Sequence, residues 1–316
     1  MIKGKNLKKR FFLKKTTLNN NVIEAVKGIN IEIKKGQITG LLGLNGAGKT
    51  TSIRMLSGEL LPDEGTVFEN NSPIEKNLTD FREKVNVISG TERGLFWHLT
   101  AYDNLTYFAR LYGINKNTYK IRIPNLLKLV GLEKASNQRV ETFSKGMKQR
   151  LQFARGLINN PDYIFFDEPT IGLDVDIATE MRQVIADLAH NNKKGILLTT
   201  HYLKEAAELC DNIYFLRKGE ITSKESSAEL STKAKVSEKV LISFNKVVNQ
   251  DLIKLLKESD GVLDVKKESP LSLSVFGQSN LIKKVIANDR LSDYSVEEMK
   301  KEDITLEDFL FTQITK

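Results

Sequence analysis

Hydrophobic and polar residues alternate early in the chain, between residues 22 and 33. Three isoleucines there lie two positions apart and would share one side of an extended chain: Ile29, Ile31 and Ile33. Such alternation is typical of an antiparallel strand that buries one face. We therefore predict that residues 22–33 form such a strand.

Short, almost wholly apolar runs follow at residues 38–42, 163–166 and 196–200. Runs of this kind are typical of strands that are buried on both faces of a sheet. Each run precedes a segment with helical spacing. After the second run, Asp174 is placed to cap a helix, in which apolar positions recur every three or four residues: Ile177, Met181, Val184 or Ile185, and Leu188. Strands that alternate with helices predict an α/β core.

Three further segments complete the predicted organisation. Strand-like runs thin out between about residues 80 and 155, so we predict a helical insertion there. Residues 223–236 are rich in Ser, Lys and Glu, which predicts a linker. In residues 237–316, apolar runs follow the order strand, helix, strand, strand, helix. A last short strand near Tyr294 would complete a small ferredoxin-like α+β domain.

The composition limits the classes of protein to which the chain can belong. A length of 316 residues fits two domains. The single cysteine, Cys210, excludes a disulfide framework and a cysteine-rich zinc site, and the three histidines are too far apart for a compact cluster. No run approaches the roughly 18 apolar residues that cross a bilayer, and the first fifteen residues lack the apolar core of a signal peptide. We therefore expect a cytoplasmic protein that reaches a membrane only through a membrane-spanning partner.

The net charge of +8 is densest near the start of the chain, where seven basic residues precede any acidic residue: Lys3, Lys5, Lys8, Lys9, Arg10, Lys14 and Lys15. Such a run could bind the phosphates of nucleic acids or of anionic lipids. The alternative is a solvated edge strand. We favour this alternative and expect no specific nucleic acid partner.

A glycine-rich segment directly after the first apolar run matches the phosphate-binding pattern G-x-x-x-x-G-K-[ST]. Glycines let the backbone wrap closely around a phosphate, and N–H groups at the start of the next helix form an anion-binding nest. Lys49 would reach the β- and γ-phosphates, and the Thr50 hydroxyl would bind Mg²⁺. The predicted nucleotide-binding residues are Gly43, Leu44, Asn45, Gly46, Ala47, Gly48, Lys49, Thr50 and Thr51.

A pair of carboxylates, Asp167 and Glu168, follows the second apolar run. Ligands of open α/β sheets bind at this carboxyl edge of the strands. Because successive strand residues point to opposite sides, one acid can hold a metal while the other faces an attacking water. We predict that Asp167 assists Mg²⁺ and that Glu168 polarises the water that attacks the γ-phosphate.

Further segments follow in an order that resembles the ATP-binding subunits of ABC transporters. Residues 143–147 (Phe-Ser-Lys-Gly-Met) are similar to the family signature, and residues 171–174 (Ile-Gly-Leu-Asp) resemble the loop after the acidic pair. His201 stands where the family keeps its switch histidine, and Phe11 is similar to the aromatic residue that stacks on adenine. The resemblance covers about residues 1–222. It implies an α/β P-loop NTPase core with a mixed sheet, an antiparallel β subdomain and a helical insertion.

The resemblance also implies a mechanism in which two subunits pair head to tail. The complete motif set of this chain favours a homodimer, and pairing with a related ATP-binding subunit is the alternative. ATP and Mg²⁺ would lie between the phosphate loop of one subunit and the signature residues Ser144 and Gly146 of the other, and the dimer would close on ATP. Asp174 would belong to the nucleotide-binding residues, and His201 would bind the γ-phosphate and orient the water. Alternatively, Ser144 only caps the helix that follows it.

Two segments depart from the family pattern. The signature has Lys145 and Met147 where the commonest form has Gly and Gln. Most members also carry a glutamine that touches Mg²⁺ and the water, and this chain has Thr91 there, with Glu92 beside it. Either residue could still ligate a metal through oxygen.

A chain with one phosphate loop and no membrane-spanning run implies a separate permease subunit. In the family, a short cytoplasmic helix of the permease docks in the region of the apolar segment 95–97 (Leu-Phe-Trp); alternatively, Phe96 and Trp97 pack the core of the insertion. Residues 305–310 (Thr-Leu-Glu-Asp-Phe-Leu) resemble a segment of drug, antibiotic and polysaccharide exporters. The chain is thus expected to drive export from the inner face of the cell membrane.

Two other classes of ATPase fit the sequence less well. A ribosome-acting ATPase would usually carry two nucleotide domains, and a chromosome ATPase would carry a long coiled coil.

Overall fold

The chain forms two compact units, which are Met1–Thr200 with Leu209–Ser226, and His201–Glu208 with Ser227–Lys316. The computed structural model describes residues 1–12, 22–89, 94–171, 173–226, 238–287, 294–302, 304 and 308. None of the helices within these ranges is both long and apolar enough to cross a lipid bilayer.

The strands described in the first unit build two sheets. In chain order they are β1 (Ile2–Phe12), β2 (Val22–Ile33), β3 (Ile38–Gly43), β4 (Glu64–Glu69), β5 (Ser72–Pro73), β6 (Val85–Ser89), β7 (Tyr163–Asp167), β8 (Gly195–Thr200), β9 (Asn212–Arg217) and β10 (Glu220–Ser226). The main sheet has the order β10-β9-β3-β8-β7-β6 and is parallel except for the pair β9 and β10. The carboxyl ends of β3, β7 and β8 therefore meet at one edge of this sheet.

The apolar runs form the strands that were predicted from them. Every residue of β3 and of β8 is buried, as is typical of central parallel strands covered on both faces. The second sheet, with the order β2-β1-β4-β5, is antiparallel. In β2, Ile29, Ile31 and Ile33 are at most 1% exposed and share a hydrophobic core with Leu41 and Phe165 of the main sheet. This arrangement confirms the prediction of a strand with one buried face.

The basic residues of β1 lie beside acidic residues of the neighbouring strands and turns. Lys8 forms an ion pair with Glu64 at 2.6 Å, and Lys9 forms one with Asp63 at 2.6 Å. Lys3 is paired with Glu32, and Arg10 with Glu24 at 3.0 Å: these contacts join β1 to β2. Exposed pairs of this kind contribute at most about 1 kcal/mol each. The local pairing of charge favours a solvated strand for the described part of the basic run, but the prediction of an edge strand is wrong, because β1 pairs with β2 on one side and with β4 on the other.

Helices cover the main sheet and form the predicted insertion. Their bounds are α1 (Lys49–Leu56), α2 (Leu78–Lys84), α3 (Ala101–Leu111), α4 (Lys116–Leu129), α5 (Lys145–Gly156) and α6 (Val175–His190). The segment 80–155 is not wholly helical, however, because β6 lies within it and pairs with β7 as the edge strand of the main sheet. Residues 80–84 of that segment belong to α2, and its longer helices, α3 to α5, follow β6.

The second unit contains an antiparallel sheet with the order β12-β13-β11-β14. Its described elements are α7 (Leu203–Leu209), β11 (Glu238–Phe244), α8 (Gln250–Lys257), β12 (Val262–Ser269), β13 (Ser272–Gly277), α9 (Leu281–Ile286) and β14 (Val296–Glu302), with α7 running one residue past the unit boundary. From β11 onward, this element order and sheet order are those of the predicted ferredoxin-like domain. The predicted linker begins too early, because its first residues, 223–226, pair with β9 as part of β10.

A buried cluster of ion pairs connects the last described residue, Asp308, to the antiparallel sheet of the second unit. The Lys239 ammonium lies 3.1 Å from a carboxylate oxygen of Glu302 and 3.1 Å from one of Asp308. The Asp308 side chain is 3% exposed. Within the exporter-like segment 305–310, Asp308 is the part that the structure describes, and it serves here as a structural anchor.

Candidate active site

A tight loop connects β3 to α1 at the carboxyl edge of the main sheet. Within it, the N–H of Ala47 donates to the carbonyl of Leu44 at 3.1 Å. Gly48 has a φ of +105°, and a Cβ atom there would lie 2.4 Å from the carbonyl oxygen of Ala25 in β2. A side chain at this position would therefore clash with backbone. Glycine lets the loop pack against β2 while the first N–H groups of α1, which have no intrahelical partners, remain available to an anion.

Lys49, the first residue of α1, lies between this loop and the acidic pair. Its side chain is only 6% exposed. The Nζ donates to the carbonyl oxygen of Gly43 at 2.7 Å and lies 3.0 Å from Oε1 of Glu168. The ammonium therefore joins the two sequence motifs, which are more than 100 residues apart in the chain.

Asp167 is the last residue of β7, and each of its carboxylate oxygens accepts a hydrogen bond. The Thr50 hydroxyl donates to Oδ2 at 2.7 Å, and the Thr199 hydroxyl donates to Oδ1 at 2.6 Å. Thr199 lies on β8, directly opposite Asp167 in the parallel register. The two residues that were separately predicted to bind Mg²⁺, Thr50 and Asp167, therefore lie in direct contact.

The alternation of strand residues predicts that Glu168 lies on the same strand as Asp167. This prediction is wrong. β7 ends at Asp167, and Glu168 has a left-handed backbone with a φ of +52°. The chain turns there, so the carboxylates of Asp167 and Glu168 contact consecutive residues of α1, Thr50 and Lys49. Both acids consequently face the phosphate loop and do not project from opposite sides of a strand.

A cavity of about 430 Å³ opens beside the loop. Three lysines line it, Lys27, Lys49 and Lys218, together with Glu168 and most of the residues between 44 and 51. Ile23 of β2 also lines it. Phe11 of β1, the predicted adenine-stacking residue, lies opposite Ile23 in the antiparallel register and is 37% exposed, but it is not among the described residues that line the cavity.

The signature residues lie at the start of α5. Ser144 is exposed at the N-cap position, and its Oγ accepts a hydrogen bond from the N–H of Met147 at 3.2 Å. Gly146 is buried, and a Cβ there would lie 2.8 Å from Cδ1 of Ile177 in α6. Neither Ser144 nor Gly146 is among the described residues that line the cavity. In the single chain, Ser144 therefore acts as a helix cap.

Asp174 and His201 are not among the described residues that line the cavity. Asp174 occupies the predicted N-cap position of α6 and is exposed, but within the described part of the chain its side chain makes no capping hydrogen bond. His201 directly follows β8, belongs to the second unit, and packs against Tyr202 with ring centroids 4.1 Å apart. Thr91 and Glu92 lie outside the residues that the structure describes.

The apolar segment 95–97 is divided between core and surface. Leu95 is 8% exposed, whereas Phe96 and Trp97 are 43% and 49% exposed. Phe96 packs edge-on against Tyr107 at 4.7 Å. Phe96 and Trp97 thus form an exposed aromatic surface, and the buried residue of the segment is Leu95.

Thr199 is a site residue that the sequence analysis did not identify. A signal was present, because two threonines end the otherwise apolar run 196–200 at the edge where β7 presents its carboxylates. Its significance depends on the pairing of β7 with β8, which the sequence alone does not give.

Comparison with known proteins supplies the family. A family model described as ABC transporter matches residues 26–171. The ABC transporter ATP-binding protein NatA of Bacillus subtilis (strain 168) is 40% identical over 200 residues, which are 63% of this chain and 81% of that relative. The linearmycin resistance ATP-binding protein LnrL of the same organism is 33% identical over 235 residues, covering 74% of this chain and 71% of LnrL. The Nod factor export ATP-binding protein I of Ralstonia nicotianae (strain ATCC BAA-1114 / GMI1000) is 38% identical over 211 residues, covering 66% and 64%.

Solved structures agree with these matches. A dimeric post-hydrolysis state of the ATP-binding cassette MJ0796, bound to ADP and Pi, matches with a TM-score of 0.63 and 27% identity, over 72% of this chain and 99% of that one. An ATP-binding subunit of an ABC transporter matches with a TM-score of 0.61 and 27% identity, over 74% and 91%. The P-loop NTPase fold is therefore confirmed. The chain belongs to the ABC transporter ATP-binding proteins, the ATP-hydrolysing subunits of these transporters.

Proposed function

We propose that this chain drives an exporter by binding and hydrolysing ATP between two copies of itself. The observation that carries the proposal is the junction of the phosphate loop with the acidic pair. Lys49 Nζ lies 3.0 Å from Glu168, and the Thr50 hydroxyl lies 2.7 Å from Asp167. Two groups suited to binding phosphate and metal, on the consecutive residues 49 and 50, are thereby held against two carboxylates suited to metal binding and hydrolysis, on the consecutive residues 167 and 168.

In this proposal, Lys49 and the N–H groups of the loop bind the phosphates, and Phe11 stacks on adenine. The three lysines that line the cavity, Lys27, Lys49 and Lys218, favour a polyphosphate ligand. Binding of phosphate to Lys49 would compete with its ion pair to Glu168. The released Glu168 carboxylate would then hold and orient the attacking water.

The donor set also fits Mg²⁺. The Thr50 hydroxyl and Oδ2 of Asp167 lie 2.7 Å apart, and both are hard oxygen ligands of the kind that Mg²⁺ prefers. Mg²⁺ held there would offset the negative charge of the phosphates. Thr50 and Asp167 would hold it, and we keep Thr91 and Glu92 as further candidate ligands from the sequence alone.

The second half of the proposed site comes from another copy of the chain. Ser144 is exposed at the start of α5, where a helix N-terminus can receive a phosphate. Ser144 and Gly146 of that copy would close over the phosphate loop, with Asp174 and His201 completing the nucleotide contacts. The dimeric forms of MJ0796 support this arrangement. A homodimer is favoured because one chain carries both halves.

We further propose that the ATP-binding domain, predicted as residues 1–222, extends to the end of β10 at Ser226, and that a shorter linker joins it to an accessory domain of residues 237–316. The domain would dock on a membrane-spanning permease at the inner face of the cell membrane. The exposed Phe96 and Trp97 are the surface on which we expect the permease to bind. Relatives named for linearmycin resistance and for Nod factor export support export as the direction of transport.

Replacement of Glu168 by glutamine tests the proposed function. Glu168→Gln should bind ATP with an affinity close to that of the wild type, lose at least 99% of turnover, and form a dimer in MgATP. Calorimetry, phosphate release and light scattering measure these three properties. Glu64→Gln, which alters an exposed carboxylate that pairs with Lys8, is the control and should retain turnover. Full turnover in Glu168→Gln would refute the role of Glu168.

A further inference from the structure

The hydroxyl of Thr199 contacts both residues of the acidic pair. It donates to Oδ1 of Asp167 at 2.6 Å and accepts a hydrogen bond from the N–H of Glu168 at 3.1 Å. A threonine hydroxyl has one proton to donate and two lone pairs, so a single group can satisfy both contacts. Thr199 itself is 0% exposed.

The contact with Asp167 fixes the direction of its carboxylate. Because Oδ1 is taken by Thr199, Oδ2 is turned toward Thr50 of α1. Threonine is stiff at χ1, and this threonine is enclosed in a strand that is buried throughout. The carboxylate therefore has one supported orientation, and it directs the free lone pairs of Oδ2 toward the phosphate loop.

The contact with Glu168 stabilises an unfavourable backbone. A left-handed conformation costs a residue with a side chain about 1–2 kcal/mol. The N–H of Glu168 meets both the hydroxyl and the carbonyl oxygen of Thr199, at 3.1 and 3.2 Å. These two bonds hold the turn from which the Glu168 side chain reaches Lys49.

We propose that Thr199 is a positioning residue for ATP hydrolysis, whose hydroxyl sets the Asp167 carboxylate for Mg²⁺ and the turn that presents Glu168. The proposal rests on the roles proposed above for Asp167 and Glu168. Thr199 is absent from the described lining of the cavity, so it acts through these two residues and does not itself touch the nucleotide.

The test compares Thr199→Val, which keeps the shape of the side chain and removes the hydroxyl, with Thr199→Ser, which keeps the hydroxyl. Loss of an outer-shell partner typically lowers metal affinity or activity about 10- to 100-fold. We expect Thr199→Val to lower kcat by that factor, to raise the Mg²⁺ concentration at half-maximal rate, and to leave the KM for ATP within about twofold. Thr199→Ser should restore most of kcat.

Nucleotide binding gives a second readout that does not depend on turnover. Calorimetry with ADP in EDTA and with MgADP measures how much Mg²⁺ tightens binding. Thr199→Val should lose most of this gain while keeping the affinity for ADP in EDTA. The matched control is Thr39→Val, another buried threonine of the main sheet, whose hydroxyl donates to the carbonyl of Glu32 at 3.3 Å. Thr39→Val should keep both kcat and the Mg²⁺ gain.

The proposal is overturned if Thr199→Val keeps its kcat and its Mg²⁺ gain, or if Thr39→Val loses both to the same extent. If a thermal melt shows that Thr199→Val does not fold, the test rests on Thr199→Ser. A kcat or an Mg²⁺ gain of Thr199→Ser below about one tenth of the wild-type value would then count against the hydroxyl as the essential feature. Failure of the proposed function looks different, because then Glu168→Gln itself retains turnover. An inactive Glu168→Gln beside an unimpaired Thr199→Val rejects only the role of Thr199.

Discussion

Gly48 and Glu168 both line the cavity beside the β3–α1 loop, and both have a left-handed backbone conformation, which most residues with side chains avoid. Gly48 has a φ of +105°, which suits glycine, and Glu168 has a φ of +52°, which does not suit a residue with a side chain. Glu168 is held there by the two hydrogen bonds from its N–H to Thr199. Backbone strain of this kind persists where the surroundings over-determine it, and such places are often functional sites.

Alanine at Gly48 should destabilise the first unit more than alanine at Gly46. Both glycines have positive φ, so each substitution costs about 1–2 kcal/mol from the backbone alone. A Cβ at Gly46 meets nothing within 4 Å, whereas one at Gly48 lies 2.4 Å from the carbonyl oxygen of Ala25. We expect the clash to add about 1–3 kcal/mol to the loss of unfolding free energy for Gly48→Ala.

Urea unfolding measures this difference, and the fluorescence of Trp97, the chain's one tryptophan, reports on the first unit. Equal losses for Gly48→Ala and Gly46→Ala would mean that the loop can move away from β2 at little cost.

Residues whose role depends on nearby sequence could be predicted from the sequence. The phosphate loop is a local pattern, and the position of Asp167 at the carboxyl edge of the sheet follows from the apolar strand that it ends. The orientation of Glu168 could not be predicted, because it depends on where β7 ends and on Thr199, 31 residues later. A contact between neighbouring strands leaves no mark in the spacing of either motif.

Among the elements, α3 organises the segment that carries the exposed aromatic surface. Asn104 is fully buried in α3. Its Oδ1 accepts from the N–H of Phe96 at 2.8 Å, and its Nδ2 donates to the carbonyls of Phe96 and Thr100, each at 2.9 Å. One amide therefore fastens the turn of residues 96–100 to the helix and fixes how Trp97 is presented.

Asn104→Ala should release that turn. The loss leaves buried backbone groups without partners, at about 1–3 kcal/mol per group. We expect a loss of unfolding free energy of about 2–3 kcal/mol and easier quenching of Trp97 fluorescence by acrylamide.

Asn115→Ala is the matched control for this prediction. It removes the N-cap of α4, whose side chain accepts from the N–H of Thr118 at 2.9 Å, and should cost about 1 kcal/mol without a change in quenching. Unchanged quenching in Asn104→Ala would show that the turn is held by other contacts.

The elements that were predicted well are those with a long apolar pattern. β2, β3 and β8, and α6, lie where the hydrophobic spacing placed them. β6 was missed because it has only five residues and follows α2 without an intervening turn. Its strand character comes from pairing with β7, so the surrounding helical pattern concealed it.

At the scale of the whole molecule, the proposed account needs a second chain. The first unit brings together the loop, Lys49 and the acidic pair, but Ser144 is not part of the described lining of the cavity. A sequence can identify the signature, yet a single chain does not reveal what the signature contacts. The head-to-tail dimer remains a prediction that must be tested between chains.

The most direct test is a cross-link between two copies in the Glu168→Gln background. Cysteines replace Asn45 in the exposed loop and Lys145 beside Ser144, and the native Cys210 is only 2% exposed. The account predicts that oxidation yields a covalent dimer when MgATP is present and both cysteines are introduced, and little without nucleotide. An absence of cross-linking in MgATP, or equal cross-linking without nucleotide, would contradict a nucleotide held between the phosphate loop of one chain and the signature of another.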